Sequence, residues 1–415
     1  MTKKTKSKAK GKAGKILLRI LLCFIAVIAV IAIATAIANT ASVKSSRDFI
    51  QTLSPVETAG LEPKIDEVDG YYTFTTDREL KVLRLTDVHL GAGFLSKESD
   101  IKAINAVAGM ITEEKPDLVI VTGDISFPVP YIAGTLNNKN GAVLMAELME
   151  QLGVYWCLAF GNHDTEAYSY FSRESISELY SNKEKYPHCL FQTGDEAVDG
   201  YGNYIVKVKK PTGEITQALI MLDSHSYVDG DIFGIEWKYD CVHENQVEWY
   251  ENQIKSLTEQ NYGIMPSSLV FFHIPPREMQ EAYYDYRDNG FSDTENTKYL
   301  YGEAGEKDIV VYPSNYNYGL FDKALELGST KGMFFGHDHL NNIALNYKGI
   351  QLSYGMSIDY LAYSDLDKYG AQRGCQVITV SPDGSFTSHQ ENYYQDKYQP
   401  VLEKEQVTMQ PYYAE

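Results

Sequence analysis

Lys81-Val82-Leu83-Arg84-Leu85-Thr86-Asp87-Val88-His89 reads as a short apolar strand that ends on an acid and a histidine. The same construction returns twice. Asp117-Leu118-Val119-Ile120-Val121-Thr122 runs into Gly123-Asp124, and Tyr155-Trp156-Cys157-Leu158-Ala159-Phe160 runs into Gly161-Asn162-His163-Asp164. Residues 99–113, opened by Ser99 or Asp100, and residues 142–152 read as the intervening helices. Strand, crossover helix and strand in alternation imply parallel strands covered on both faces. Such sheets bind ligands beyond the carboxyl ends of their strands, which is where the polar clusters fall. Three later strands, Ala218–Leu222, Leu269–Phe272 and Met333–Phe335, end on Asp223 with His225, on His273, and on Gly336-His337-Asp338-His339. Residues 243–260 form an amphipathic helix through Val247, Tyr250, Ile254 and Leu257, and residues 340–390 read as short strands that complete a second sheet.

Leaving Asp223 with His225 aside, the other five strand-end motifs hold five of the nine histidines. Imidazole, carboxylate and amide oxygen together are what two adjacent divalent cations need. A single Asp-x-His or Gly-Asp after a strand is ordinarily a turn with a capping acid. Five such motifs in order, each at a strand end, outweigh that plainer account. His225 is either a site residue or a loop histidine, while His188, His243 and His389 read as surface or structural. Tyr131, Tyr168, Tyr170 and Tyr227 lie beside the motifs and either stack on a substrate ring or reflect the abundance of tyrosine, with 32 copies. Residues 275–316 read equally as a substrate-side lid or as an inert insertion.

The order and spacing of Asp87-Val88-His89, Gly123-Asp124, Gly161-Asn162-His163-Asp164, His273 and Gly336-His337-Asp338-His339 resemble the calcineurin-like metallophosphoesterase superfamily. With Tyr354-Gly355 and Arg373-Gly374, the chain most resembles its purple-acid-phosphatase-like branch. The resemblance implies an α/β sandwich of two mixed β-sheets flanked by helices. It implies one metal on Asp87, His89 and His339, a second on Asn162, His273 and His337, and Asp124 bridging both. It casts His163 as a catalytic group over the phosphoryl, with Asp164 orienting its ring. Purple members carry a metal-binding tyrosine three residues after the bridging aspartate. Phe127 stands there and has no donor, so the expected cofactors are two divalent ions, Mn, Zn, Fe or mixed, in a colourless protein.

The rest of the chain sets the location. Eight basic residues and no acid fill residues 1–19, so a net charge of −19 leaves −27 on everything downstream. An acidic body of this kind repels polyanions, and no nucleic-acid partner is expected. Ile20 to Ala38 then runs nineteen residues without a charge. As a helix it spans roughly 28 Å at about 1.5 Å per residue, near the hydrocarbon thickness of a bilayer. Its basic flank keeps the N-terminus cytoplasmic and the body outside. Ala36-Ile37-Ala38 also fits a cleaved secretory signal, although the run is longer than a signal core. The expected organisation is a basic arm at 1–15, a transmembrane signal-anchor at 16–38, a stalk at 39–75, the catalytic domain at 76–395 and a polar tail at 396–415. Four cysteines outside the helix show no Cys-x-x-Cys spacing; Cys157 reads as a buried thiol, and a Cys189–Cys241 bridge is open.

The expected function is hydrolysis of a phosphate monoester by a metal-bound hydroxide on the outer face of a membrane, with a phosphorylated small molecule as substrate. A phosphodiesterase or nucleotide hydrolase is the alternative, and a non-catalytic binding protein on the same fold the third reading.

Overall fold

The register of two parallel strand trios places the site. In a computed structural model, which describes residues 3–231, 233–306, 310–363, 366 and 373–407 with side chains from Gly14 onward, the strands Leu80–Leu85, Leu118–Thr122 and Trp156–Ala159 lie side by side and parallel. Leu85, Val121 and Leu158 share one register row. The strands Gly374–Val380 and Phe386–Asn392 extend this sheet antiparallel, giving five strands. A second, nine-stranded sheet is centred on Ile215–Met221, Ser267–Phe271, Thr330–Phe335 and Ile350–Tyr354, all parallel, with Met221, Phe271 and Phe334 in one row. Antiparallel pairs flank the parallel strands at one edge of the five-stranded sheet and at both edges of the nine-stranded one, so the architecture is two mixed sheets flanked by helices.

Period-two alternation explains the layering. Leu219, Met221, Leu269, Phe271 and Phe334 join one buried cluster with the five-stranded sheet and the helices Lys97–Glu114 and Asn138–Leu152. Their neighbours of opposite parity, Ala218, Ile220, Leu222, Val270, Phe272, Met333 and Phe335, pack on Val247, Tyr250, Ile254 and Leu257 of the helix Glu244–Gln260. The observed helices and strands begin and end within a few residues of the expected bounds.

Two segments differ from expectation. The N-terminal helix spans Lys3–Ile50 without a break, so residues 39–50 are no flexible stalk. Val43 and Ile50 are buried in the core, the Ser42 hydroxyl donates to the Gly93 carbonyl at 2.7 Å, and Arg47 pairs with Glu147 at 2.7 Å. Residues 396–407 of the expected polar tail are docked as well. Tyr398 is buried with its hydroxyl on Glu114 at 2.7 Å, and Asn105 clamps the backbone of Leu402 by two bonds of 3.0 Å. Residues 408–415 lie outside the described residues. All five cysteines are free, and Cys157 is buried as expected. The insertion after Pro275 contributes the helix Arg277–Asp288 and the edge strand Thr297–Tyr301, which pairs with Ala344–Tyr347. Its later part braces the Gly-His-Asp-His loop, with Tyr312 N–H donating to Asp338 at 3.1 Å and Gly305 N–H to Asn341 at 2.9 Å.

Candidate metal centre

Just beyond the two register rows, the chains turn sharply. Asp87, His89, Asp124 and His337 all adopt left-handed backbone, with φ of 52°, 51°, 53° and 79°. Each such non-glycine residue costs about 1–3 kcal/mol, and clusters of them mark sites where geometry is held against local preference. The motif glycines permit the crowding. A Cβ on Gly161 would stand 2.2 Å from Asp124 Oδ1, and one on Gly336 2.0 Å from Thr86 Oγ1.

All seven expected ligands come together and are buried or nearly so. Asp124 Oδ2 lies between His89 Nε2 at 3.3 Å and His273 Nε2 at 3.1 Å. On one side His339 Nε2 lies 3.4 Å from Asp87 Oδ1. On the other, Asn162 Oδ1 lies 3.1 Å from His273 Nε2 and 3.0 Å from His337 Nδ1. Donors bound at about 2.0–2.2 Å to one cation sit roughly 3.0–3.5 Å from each other, so these spacings fit two metal ions sharing Asp124.

Proton placement makes the same case. His273 Nδ1 sits 2.8 Å from the Thr122 carbonyl, which only accepts, so that nitrogen carries the ring proton. His273 Nε2 is then a lone pair facing two further acceptors, the Asn162 and Asp124 oxygens. His89 Nδ1 and His339 Nδ1 lie 3.3 and 3.2 Å from Asp359 Oδ2, within attraction although not aligned as hydrogen bonds. Their Nε2 lone pairs likewise turn toward carboxylates. Acceptors converging in a buried space repel unless positive charge lies among them. The demand shows in His89: burial alone would lower its pKa, yet Asp359 and Asp124 raise it well above the ordinary imidazole value.

His163 stands beside the seven but is not among the facing donors. Its backbone N–H donates to Asp124 Oδ1 at 2.8 Å, and its ring lies 5.5 Å from that of His89 and 4.8 Å from that of Phe127. Asp164 does not orient this ring. Its carboxylate faces backward, accepting from the N–H groups of Gly161, Asp124 and Ser126 at 2.8, 3.1 and 2.9 Å. Burial and the nearby Asp124 push the Asp164 carboxyl upward. The carboxylate that holds His163 is Glu166, 2.6 Å from Nδ1. The short turn His163–Thr165 explains the exchange, because it brings the third residue onward back over the ring.

Sequence reading missed four further participants. Asp359 backs two candidate ligands and is itself braced by Arg373, whose Nε donates to the Asp359 carbonyl at 3.0 Å. Tyr239 packs edge-on against His337 at 4.2 Å. Arg173 ties the Gly-Asn-His loop by donating to the Gly161 carbonyl at 2.7 Å while pairing with Asp223. Glu166 is the fourth. The available signal for Glu166 was an acid three residues after His163; Asp359 had no such local signal. Of the four flagged tyrosines, Tyr227 touches the site, accepting from Asn162 Nδ2 at 3.2 Å and donating to Glu166 at 3.3 Å. His225 does not join the donors. It stacks on His243 with ring centroids 4.0 Å apart.

The calcineurin-like phosphoesterase family model matches residues 80–341. The chain is 30% identical over 324 residues to Probable inactive purple acid phosphatase 14 of Arabidopsis thaliana, covering 71% of this chain and 74% of that one. It is 26% identical over 319 residues to Probable inactive purple acid phosphatase 28 of the same plant, covering 70% and 73%. Phosphatase DCR2 of Saccharomyces cerevisiae is 27% identical over 291 residues, covering 65% of this chain and 46% of that protein. The chain belongs to the calcineurin-like phosphoesterase family, in its purple-acid-phosphatase-like branch.

Proposed function

We propose that this protein hydrolyses phosphate monoesters with two divalent cations held by Asp87, His89, Asp124, Asn162, His273, His337 and His339. The observation that carries the reading is the convergence of seven donors, six of them buried and His337 half-buried, whose lone pairs face one another. Bound there, the cations supply Lewis acidity toward phosphoryl oxygens and bring the ionisation of water into the neutral range. Asp124 offsets the repulsion between the two charges. Asp359 and the Thr122 carbonyl fix the tautomers of three histidines, and Glu166 fixes that of His163. His163 then presents its other ring nitrogen toward the leaving oxygen, as donor or acid. Phe127 offers no donor, so the ligand set favours Mn, Zn or Fe(II) and a colourless protein.

Two of the relatives carry the word inactive in their names. In this chain no donor is missing, which favours catalysis over a binding role on the same fold. Phosphodiester or nucleotide hydrolysis is the alternative, since the same cations accept a bulkier leaving group. The uncharged run Ile20–Ala38 supports a single-pass anchor with the body outside the cytoplasm, or export followed by cleavage. The deciding experiment is a panel of aryl phosphate monoesters, bis-aryl diesters and nucleotides, each assayed with Mn, Zn and Fe(II). Preference for monoesters supports the proposal and preference for diesters the alternative. No turnover with any metal would leave the binding role.

A further inference from the structure

We infer that the body rests on the bilayer through an apolar face beside the emerging helix, formed by Phe94, Leu95, Tyr131 and Tyr170. The inference rests on the reading of the N-terminal helix as a membrane anchor. Its first support is rigidity. The helix runs without interruption from the apolar segment to Ile50, and Val43 and Ile50 lie in the core. Depth in the membrane therefore dictates the height of the body above it.

The second support is level. Asn39 follows directly on the apolar run, and its side chain is bonded to the body twice. Its Oδ1 accepts from the Phe94 N–H at 2.8 Å, and its Nδ2 donates to the Gly134 carbonyl at 3.2 Å. Gly134 closes the turn that carries Tyr131, with its N–H on the Pro130 carbonyl at 3.1 Å. Phe94 and the Tyr131 turn thus stand where the apolar run ends. A groove of about 730 Å³ goes further, since Ala32 and Ala36 form one wall and Phe94, Pro130 and Tyr170 the other. Ala32 lies six residues inside the run, or about 9 Å along a helix at 1.5 Å per residue. With Ile20–Ala38 spanning the hydrocarbon, the facing wall reaches the headgroup layer.

The third support is chemistry. Phe94, Leu95, Tyr131 and Tyr170 are 41%, 53%, 81% and 67% exposed. Aromatic and aliphatic side chains at this level are those that partition into the membrane interface. Charge cannot provide the contact, because a body carrying −27 is repelled by anionic lipid. Phe233, Ile235 and Trp237 are exposed and apolar too, but none of them lines the groove against the N-terminal helix. Tyr170 also borders the cleft that holds Glu166 and Tyr227, so the contact face continues into the rim of the metal centre.

The test places an environment-sensitive thiol probe on the full-length protein reconstituted in vesicles. In a Cys23→Ala, Cys241→Ser background, Phe94→Cys, Leu95→Cys, Tyr131→Cys and Tyr262→Cys are labelled singly; native Cys23 with Cys241→Ser reports the helix. Retained metal content shows that each variant is folded. Quenching by headgroup spin-labelled lipid several-fold stronger at 94, 95 and 131 than at 262, with protection from a water-soluble quencher, supports the inference. Probes at 94, 95 and 131 that behave like 262, while Cys23 is quenched from the acyl region, would overturn it and leave the anchor standing. A Cys23 probe outside the lipid would overturn the anchor reading and the inference with it.

Discussion

Among the described residues, two clusters of histidine and aspartate lie within metal-binding distances of their own members, and they are built for opposite ends. Asp87, His89, Asp124 and His339 form one; His225, Asp240 and His243 form the other. In the first, each ring keeps one nitrogen beside the outer carboxylate of Asp359 and turns the other inward. In the second, both nitrogens of His243 face carboxylates, Asp199 at 2.8 Å and Asp240 at 3.1 Å. That ring supplies its own positive charge as an imidazolium. His225 and His243 are also stacked, with only 17° between their planes. A metal bonds in the plane of each imidazole, so parallel stacked rings cannot both direct a lone pair at one ion. Composition and proximity are shared by the two clusters. The direction of the lone pairs separates them.

The largest expected effect tests that separation directly. Exhaustive chelation should abolish phosphatase activity while the far-ultraviolet signal of the body persists. Asp124→Asn removes the charge between the two cations and should empty at least one site, whereas Asp240→Asn in the other cluster should leave both occupied. Metal analysis of the purified variants decides. Full occupancy and activity in Asp124→Asn would end the two-metal assignment.

His163 comes next. It touches Asp124, the proposed bridge, only through its backbone, so His163→Ala should keep both metals and lose kcat by about 10²–10³-fold, the usual cost of one transition-state donor. The loss should shrink for nitrophenyl phosphates, whose leaving group needs no proton. Glu166→Gln should retain metal and lose less than His163→Ala. Loss of metal in His163→Ala would mean that ligand and catalytic roles have been exchanged.

Asp359 sharpens the contrast at smaller scale. It gives the first cluster its inward lone pairs, so Asp359→Asn should weaken the ion on His89 and His339 by about 10–100-fold, the usual cost of losing a histidine's outer partner. The ion on Asn162, His273 and His337 should hold, because the Thr122 carbonyl backs His273. Competition with a chromogenic chelator would show one weakened site; two equally weakened sites, or none, would remove Asp359 from this role.

Much of the candidate centre was legible because each candidate ligand follows a strand whose apolar run is short and continuous. Asp87, Asp124 and His273 stand within three residues of the strands that deliver them, so strand-end reasoning reaches them without tertiary knowledge. Asp359 lies five residues past Ile350–Tyr354, and its approach depends on the bridge between Thr86 and Ser357, which joins the two sheets. Nothing local encodes that meeting. Asp164 misled by adjacency: the residue next to His163 turns away, and the one three further on turns back. Residues 39–50 misled by composition. Their polar residues hid Val43 and Ile50, whose spacing puts both on the face that meets the body.

The smallest effect belongs to the second cluster and follows from its self-supplied charge. Asp240, and after it Asp199, raise the His243 pKa to about 9 against the opposing effect of burial. A histidine raised above its unfolded value of about 6.5 stabilises the fold fully below that pH, and the contribution fades as pH climbs through the folded pKa. His225 is packed against it, with Asp223 and Arg173 nearby, and burial pushes its pKa down. Its own linkage therefore acts below about pH 6.5, where charging it disfavours the fold. The two neighbours act in different windows and can be told apart. Thermal unfolding of the wild type and His243→Gln, both saturated with metal, should differ most at about pH 5–6, below which protonation of Asp199 and Asp240, both held down by His243, removes the same ion pairs. The gap should narrow above that range and close just above pH 9, while the metal contribution cancels between the two proteins. A gap that stays constant to pH 10, or widens on the alkaline side, would mean that His243 carries no proton in the folded state. The second cluster would then have a free lone pair after all, and the contrast with the metal centre would fail.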